Sequence, residues 1–286
     1  MSESKEISKN RFDLTNVISN AIALPGVKVS RVDFLKEQFK EYDENTLALI
    51  IEKGPVNAGC TRDELEKKAK RLIKAKTALS AGASFLAGLP GGWTMAATIP
   101  ADLLQFYGVT LRIAQELIYL YGEEDLWCES TPDYEKIENQ LVLYCGVMLG
   151  VAGASQLIRL MANALAKQAL VQLPKKALTK VAIFTITRSV LKVFGIKVTK
   201  SSFAQVVSKS IPVAGGVISG TMTLSSLLPM SNRLRKTLDK AHFDYTLDDY
   251  ETDYIELQEI LKETDEDFEI VLDDGNTFDD EVNDNN

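Results

Sequence analysis

The sequence predicts an all-α protein, a multi-helix domain with glycine-rich apolar central helices and a disordered acidic C-terminal tail. Apolar residues recur at helical spacing through most of the chain, and capping residues precede many of these segments. Three runs without charged residues, 77–101, 139–158 and 210–232, each contain two glycines four positions apart. Residues 244–286 carry a net charge of −17, and their last part has few large apolar side chains, which is typical of a disordered tail.

Local signals place helices in the first third of the chain. We predict a helix over 12–24 and a second over 31–42, which has Ser30 as its N-cap. Thr61 and Glu64 form the pattern of a capping box, in which each side chain accepts a hydrogen bond from a backbone N–H at the helix start. The helix that this box opens is strongly basic in its first half and then enters the first uncharged run.

Proline and glycine divide the middle of the chain. Because Pro90 lacks a backbone N–H, the first uncharged run is expected to form two helical arms around a turn. A helix follows from Pro100 to Tyr121, with Gly122 as a left-handed C-terminal cap. One long helix is then predicted from residue 133 to about residue 167.

The segment 175–194 is apolar nearly all round, which predicts a buried helix that ends at Gly195. Its many β-branched residues leave a strand as the alternative. Pro212 and Gly216 are expected to break the third uncharged run, as Pro90 breaks the first.

These elements suggest three parts of the chain. Residues 1–243 form a helical domain, and residues 244–263 form an acidic linker with a short helix over 254–261. Residues 264–286 form the disordered acidic tail, because they cannot bury enough apolar surface to offset the ordering of their backbone.

The net charge of −8 conceals a strong polarity along the chain. Residues 140–243 contain 14 Lys or Arg and one acid, Asp239, while residues 244–286 contain 18 acids and one Lys. Anionic lipid headgroups attract basic residues by about 1 kcal/mol each near a membrane surface. The predicted headgroup-binding residues are Lys175, Lys176, Lys180, Arg188, Lys192, Lys197, Lys200, Arg233, Arg235 and Lys236.

Two other partners could neutralise the positive charge of residues 140–243. Nucleic acid is disfavoured, because the sequence has no recognition motif and its aromatic residues do not alternate with the basic ones. The acidic tail is a partner within the chain. By intramolecular contact it would cover the basic body until a membrane displaces it.

The sequence contains few motifs that indicate catalysis, cofactor binding or metal binding. His242 is the single histidine, so Ser-His-Asp and Cys-His catalysis would both depend on it. The sequence lacks a Walker-type loop, a Gly-x-Gly-x-x-Gly, a Gly-x-Ser-x-Gly elbow and a His-Glu-x-x-His motif. Three scattered cysteines suit a reducing cytosol and do not supply a zinc site. We therefore expect no cofactor, no metal and no recognisable catalytic residue.

Asp102, Arg112 and Glu116 are the candidate polar cluster. Asp102 stands at the positive end of a predicted helix, and Arg112 and Glu116 are four positions apart on that helix and can pair. One interpretation is an acid at a helix N-terminus plus a helical ion pair. The other is a polar cluster that faces a cavity or a partner, where an unrecognised enzymatic site near Asp102 would lie.

The glycine pairs permit two interpretations. Small residues one helical turn apart let helix backbones approach closely, both in membranes and in soluble bundles. The most apolar run, 139–158, is the best candidate for insertion into a bilayer. The predicted helix-packing glycines are Gly88, Gly92, Gly146, Gly150, Gly216 and Gly220.

A series of short motifs runs through the helical domain, at 24–31, Phe34, Leu35, 87–92, 99–103, 112–114, 120–122, Glu124, Asp125, 146–153 and 213–220. In their order and spacing these motifs resemble the EcsC family of bacterial proteins. The resemblance covers roughly residues 12–240 and leaves out the acidic tail. It implies a helical protein that faces the cytoplasm and has some connection to the membrane or its transporters, and it implies no catalytic residue.

The leading hypothesis from the sequence is a non-enzymatic accessory or regulatory protein. It would be cytoplasmic, peripheral to the inner face of an anionic bacterial membrane, and linked to a membrane transporter or another protein partner. The alternative is a soluble helical carrier or sensor of a lipid or other hydrophobic ligand. A third hypothesis is an enzyme with an unrecognised site near Asp102.

Overall fold

The computed structural model describes residues 20–79, 101–127, 134–162, 181–183, 185–187, 189–190 and 220–264. These residues form helices and connecting turns, and none of them lies in a strand, so the predicted all-α class is confirmed. The helices with at least eight consecutive described residues are α1 (Arg31–Gln38), α2 (Glu44–Lys53), α3 (Arg62–Leu79), α4 (Ala101–Leu120), α5 (Tyr134–Leu149), α6 (Ala154–Ala162), α7 (Gly220–Phe243) and α8 (Leu247–Thr264).

The helix α7 lies at the centre of the fold. It packs against α3, α4, α5 and α6, while α8 packs against α6 and α1 packs against α4. Leu227, Leu234 and Leu238 follow one another at helical spacing along α7 and are fully buried in the core. Burial of this stripe against four neighbours makes α7 the element on which the helical packing depends.

Several helix ends match the sequence prediction. Ser30 Oγ accepts a hydrogen bond from the backbone of Asp33 at the start of α1. Thr61 Oγ1 accepts from the backbone of Glu64, but the Glu64 carboxylate does not complete the box and instead accepts from the Tyr42 hydroxyl at 2.8 Å. Gly122 follows α4 with φ 101°, the left-handed conformation expected of a C-terminal cap.

The ends of α2 and α4 touch backbone to backbone. A Cβ added at Gly54 would lie 2.9 Å from both Cα and O of Gly122, and both glycines have positive φ, 81° and 101°. Arg31 closes the same junction: its guanidinium donates to the carbonyls of Ile51 and Glu123 at 2.6 and 2.8 Å. The N-terminal helices are therefore fixed to the end of α4 by groups that no side-chain pattern reveals.

The prediction of one helix from residue 133 to about residue 167 is wrong. The helix α5 ends at Leu149, and α6 begins at Ala154. Gly150 and Gly153 adopt φ of 78° and 80° in the turn between them, and this left-handed conformation ends an α-helix. Much of the apolar run 139–158 lies in the core of the fold. Among the described residues, no helix combines the length and hydropathy needed to cross a bilayer.

The described part of the segment 175–194 is helical rather than extended. Residues 181–183, 185–187 and 189–190 are all in helical conformation, which excludes the strand alternative for them. Ala182, Ile186 and Val190 recur every four positions and are buried in the core. This spacing is that of one helix face, as the apolar pattern predicts.

The acidic segment after residue 243 is more than a linker. The sequence predicts a short helix over 254–261, but α8 extends from Leu247 to Thr264. Tyr250, Leu257 and Leu261 on α8 belong to the same apolar core as the other helices. Asp253 is buried and pairs with Arg159 of α6. The core therefore continues beyond the predicted boundary at residue 243, and residues 265–286 of the predicted tail lie outside the described part.

Gly146 tests the close packing of α5. A Cβ at this position would lie 2.6 Å from Val190 Cγ2, and the stiff valine side chain cannot move away freely. We expect Gly146→Ala to lower the free energy of unfolding by about 1–3 kcal/mol in urea denaturation, although alanine is the better helix former by about 0.5–1 kcal/mol. Adding Val190→Ala should recover part of the loss. A stabilised Gly146→Ala protein would contradict this packing.

The start of α8 predicts a pH dependence of stability. The side chain of Lys240 and the backbone and hydroxyl of Thr246 donate to Asp249, and these bonds lower the pKa of Asp249 to about 2. Because this pKa lies below the ordinary value of 3.8, the stabilisation is present above about pH 4 and is lost as the pH falls toward 2.

We therefore expect Asp249→Asn to lower the free energy of unfolding by about 0.5–1 kcal/mol at pH 7, because the neutral amide loses the ion pair with Lys240 and the favourable negative charge at the start of α8. The difference from the wild type should shrink as the pH approaches 2. Asp248→Asn, at an exposed neighbouring position, is the matched control and should change little. An equal effect of both variants at pH 7 would contradict the capping role.

Candidate functional site

The most enclosed charge cluster that the sequence anticipates lies between α3 and α4. Glu116 is 2% exposed, and its Oε1 accepts hydrogen bonds from Lys76 Nζ at 2.6 Å and Arg112 Nε at 3.0 Å. Lys76 lies in the last turn of α3, whereas Arg112 and Glu116 are one turn apart on α4. We call Lys76, Arg112 and Glu116 the Glu116 cluster.

The Glu116 cluster also holds the segment that precedes α1. Arg112 Nη1 donates to the backbone carbonyl of Gly26, which has φ 79°. A Cβ at Gly26 would lie 3.2 Å from the same Arg112 nitrogen, so this position favours glycine for both its conformation and its space. Arg112 thus connects the buried carboxylate to the chain that enters α1.

Gln115 completes the contact between α4 and this segment. Its Oε1 accepts from the backbone of Val29 at 3.2 Å and from Trp127 Nε1 at 2.9 Å, and its Nε2 donates to the carbonyl of Val27 at 2.9 Å. Because Gln115 is fully buried, each of these bonds replaces one to water. Gln115 was not predicted from the sequence, because its partners lie far away in the chain and no local pattern marks it.

The electrostatics of the Glu116 cluster are asymmetric. Two cations face one carboxylate, and both donate to the same oxygen. The second oxygen, Oε2, is buried and has no hydrogen-bond partner among the described residues. The arrangement can immobilise a carboxylate at the point where α3 and α4 converge, and Oε2 can accept one further hydrogen bond.

Asp102 does not join this cluster. It is the second residue of α4, and its side chain lies outside the described part. Fourteen residues separate it from Glu116, which is about 21 Å along a helix. The structure thus brings together Arg112 and Glu116, as their spacing predicts, and supplies Lys76 in place of Asp102. Lys76 was missed because it lies on another helix.

The predicted helix-packing glycines have different environments. Gly146 lies inside α5 and faces Val190, whereas Gly150 lies in the turn after α5, where a Cβ would meet the Arg233 guanidinium at 3.0 Å. Gly150 is thus a helix-ending residue rather than one inside a helix pair. Gly220 is the first residue of α7. Gly88, Gly92 and Gly216 lie outside the described residues.

Two of the predicted headgroup-binding residues are engaged within the fold. Arg235 is 6% exposed and pairs with Glu66 of α3 at 3.0 Å, so it cannot present its charge to a lipid surface. Arg233 donates to the backbone carbonyl of Met148. Lys236 is exposed. Lys175, Lys176, Lys180, Arg188, Lys192, Lys197 and Lys200 lie outside the described residues.

Comparisons with known proteins do not assign the chain to a family. No family model, no curated protein and no solved structure matches the chain. The resemblance to the EcsC family therefore stays a prediction. Among the described residues, no group of three or more His, Cys, Asp or Glu side chains is arranged to hold a metal ion.

Removal of the Glu116 charge tests the Glu116 cluster. Glu116→Gln leaves Lys76 and Arg112 without a counter-charge, and we expect the free energy of unfolding in urea to fall by about 2 kcal/mol, less than for fully buried cations. Glu124→Gln, at an exposed position beyond α4, is the matched control and should stay within about 0.5 kcal/mol of the wild type.

A double-mutant cycle separates the ion pair from other effects of the substitution. Lys76→Met should cost less in the Glu116→Gln protein than in the wild type, because the pair is already broken there. Equal costs of Lys76→Met in both proteins would mean that Lys76 and Glu116 do not interact.

Proposed function

We propose that this protein is a non-enzymatic, membrane-associated accessory protein that binds the inner face of an anionic bacterial membrane through residues 163–219. The proposal retains the function expected from the sequence and narrows the surface that carries it. The proposal is supported by a difference between two sets of basic residues: most of those on the described helices of the basic segment are paired with acids, whereas residues 163–219 contain basic residues and no acid.

Most cations of the basic segment that lie on described helices are already paired. Arg159 pairs with Asp253, Arg235 with Glu66 and Lys240 with Asp249. By contrast, residues 163–219 contain nine Lys or Arg and neither Asp nor Glu. This is the single observation that carries the proposal, because a sequence of nine cations without an acid has no counter-charge of its own and suits an anionic surface.

The Glu116 cluster supports the proposal in a second way. It joins the last turn of α3 to α4, and residues 80–100 between these helices carry no charge. A polar cluster at this point fixes the two helices from which an apolar segment departs. Contact of such a segment with lipid would add to the electrostatic attraction of residues 163–219.

Co-sedimentation with lipid vesicles tests the proposal. We expect the wild type to pellet with phosphatidylglycerol-containing vesicles at low salt and to dissociate from them as the salt concentration rises. It should not bind vesicles made of phosphatidylcholine alone. Removing three lysine contacts at about 1 kcal/mol each should weaken binding by a factor of about a hundred or more, because the glutamates that replace them also repel the anionic surface. The variant for this measurement is the triple Lys175→Glu, Lys176→Glu and Lys180→Glu.

The matched control applies the same change of charge elsewhere. Lys36, Lys40 and Lys53 are exposed on or beside α1 and α2, and their triple substitution by glutamate should leave most of the binding intact. Equal weakening by both triple variants would show that net charge alone matters and would contradict a role for residues 163–219. A wild type that ignores anionic vesicles at low salt would overturn the membrane proposal and favour the ligand carrier.

A further inference from the structure

A second polar cluster lies where the end of α4 meets α7. Tyr121 directly follows α4, and Asp239 and His242 are three positions apart on α7, which places them on one face of the helix. The Tyr121 and His242 rings are stacked, with centroids 6.2 Å apart and an interplanar angle of 26°. We call Tyr121, Asp239 and His242 the Tyr121 cluster.

The charged neighbours of the Tyr121 cluster are Arg62 and Glu66 of α3, Glu123 in the turn after α4, and Arg235 of α7, whose guanidinium lies near the Tyr121 hydroxyl. Asp239 Oδ2 accepts two hydrogen bonds from Arg62 of α3, at 2.7 and 3.0 Å. His242 Nε2 lies 3.6 Å from Glu123 Oε1, which is too long for a hydrogen bond. Burial and the charge of Asp239 raise the pKa of the Tyr121 phenol well above its usual range, so the hydroxyl keeps its proton.

Three buried polar atoms in this cluster have no partner. Tyr121 Oη, Asp239 Oδ1 and His242 Nε2 are all shielded from solvent, and none of them makes a hydrogen bond to the described residues. An unsatisfied buried polar group costs about 1–3 kcal/mol. A single ligand between these neighbouring side chains would satisfy all three groups at once.

We propose that Tyr121, Asp239 and His242 form a binding site for a single buried water molecule that joins α4 to α7. Internal waters in proteins make about three hydrogen bonds to polar groups that lack other partners. The water accepts a hydrogen bond from the Tyr121 hydroxyl. It donates one hydrogen to Asp239 Oδ1 and the other to His242 Nε2.

The proposal also assigns the tautomer of His242. If Nε2 accepts a hydrogen from the water, the ring proton must lie on Nδ1. The competing arrangement has the proton on Nε2, directed at Glu123. Since His242 is the single histidine of the chain, its ring nitrogens can be assigned without ambiguity.

Nuclear magnetic resonance of the full chain labelled with ¹⁵N-histidine tests both statements. We expect nitrogen shifts of the neutral Nδ1–H tautomer at neutral pH, and cross-relaxation between water and the His242 ring protons. In Tyr121→Phe this cross-relaxation should be lost. The control Tyr107→Phe removes a hydroxyl from a buried tyrosine in the first half of α4 and should leave the His242 signals unchanged.

Because exchange with the Tyr121 hydroxyl could relay a water signal, a crystal structure of the wild type is the second arm. We expect a water peak 2.6–3.2 Å from at least two of the three atoms. An Nε2–H tautomer, a direct bond between Tyr121 Oη and Asp239 Oδ1, or a crystal structure without this water would each overturn the proposal.

Discussion

The pairing of buried charges between α3 and α7 is the constraint on which the rest of the fold depends. On α7, the guanidinium of Arg235 pairs with Glu66 of α3. One turn further along α7, the carboxylate of Asp239 pairs with Arg62 of α3. Removing a charge from water is costly unless a well-placed partner compensates it. Since α7 also packs against α4, α5 and α6, the register of this pairing decides how those helices can fit around it.

Short-range patterns in the sequence could be predicted because their physics is local. The Ser30 cap, the left-handed Gly122 and the pair of Arg112 with Glu116 each involve residues within a few positions of one another. Lys76 is the part of the candidate site that could not be predicted in this way. It lies 40 positions from Glu116, and only the packing of α3 on α4 brings the two together.

Charge composition misled the prediction where burial decided the outcome. Arg235 counted among the residues available to lipid, but its guanidinium lies in the core and pairs with Glu66. The acidic stretch after residue 243 reads as a linker, yet the bond of Asp253 to Arg159 and a few apolar side chains attach α8 to α6. A carboxylate in a sequence does not show whether water or a guanidinium surrounds it.

The contact between Gly54 and Gly122 has a consequence for recognising related chains. Each position has a backbone conformation that strains other residues, and Gly54 has no room for a methyl group. A protein with the same junction would keep glycine at both positions. It would also keep an arginine at the position of Arg31, because that side chain binds the backbone carbonyls of residues 51 and 123. Gly54 lies 23 positions after Arg31, and Gly122 lies 68 positions after Gly54. This spacing of one arginine and two glycines would thus help to recognise remote relatives whose core side chains have changed.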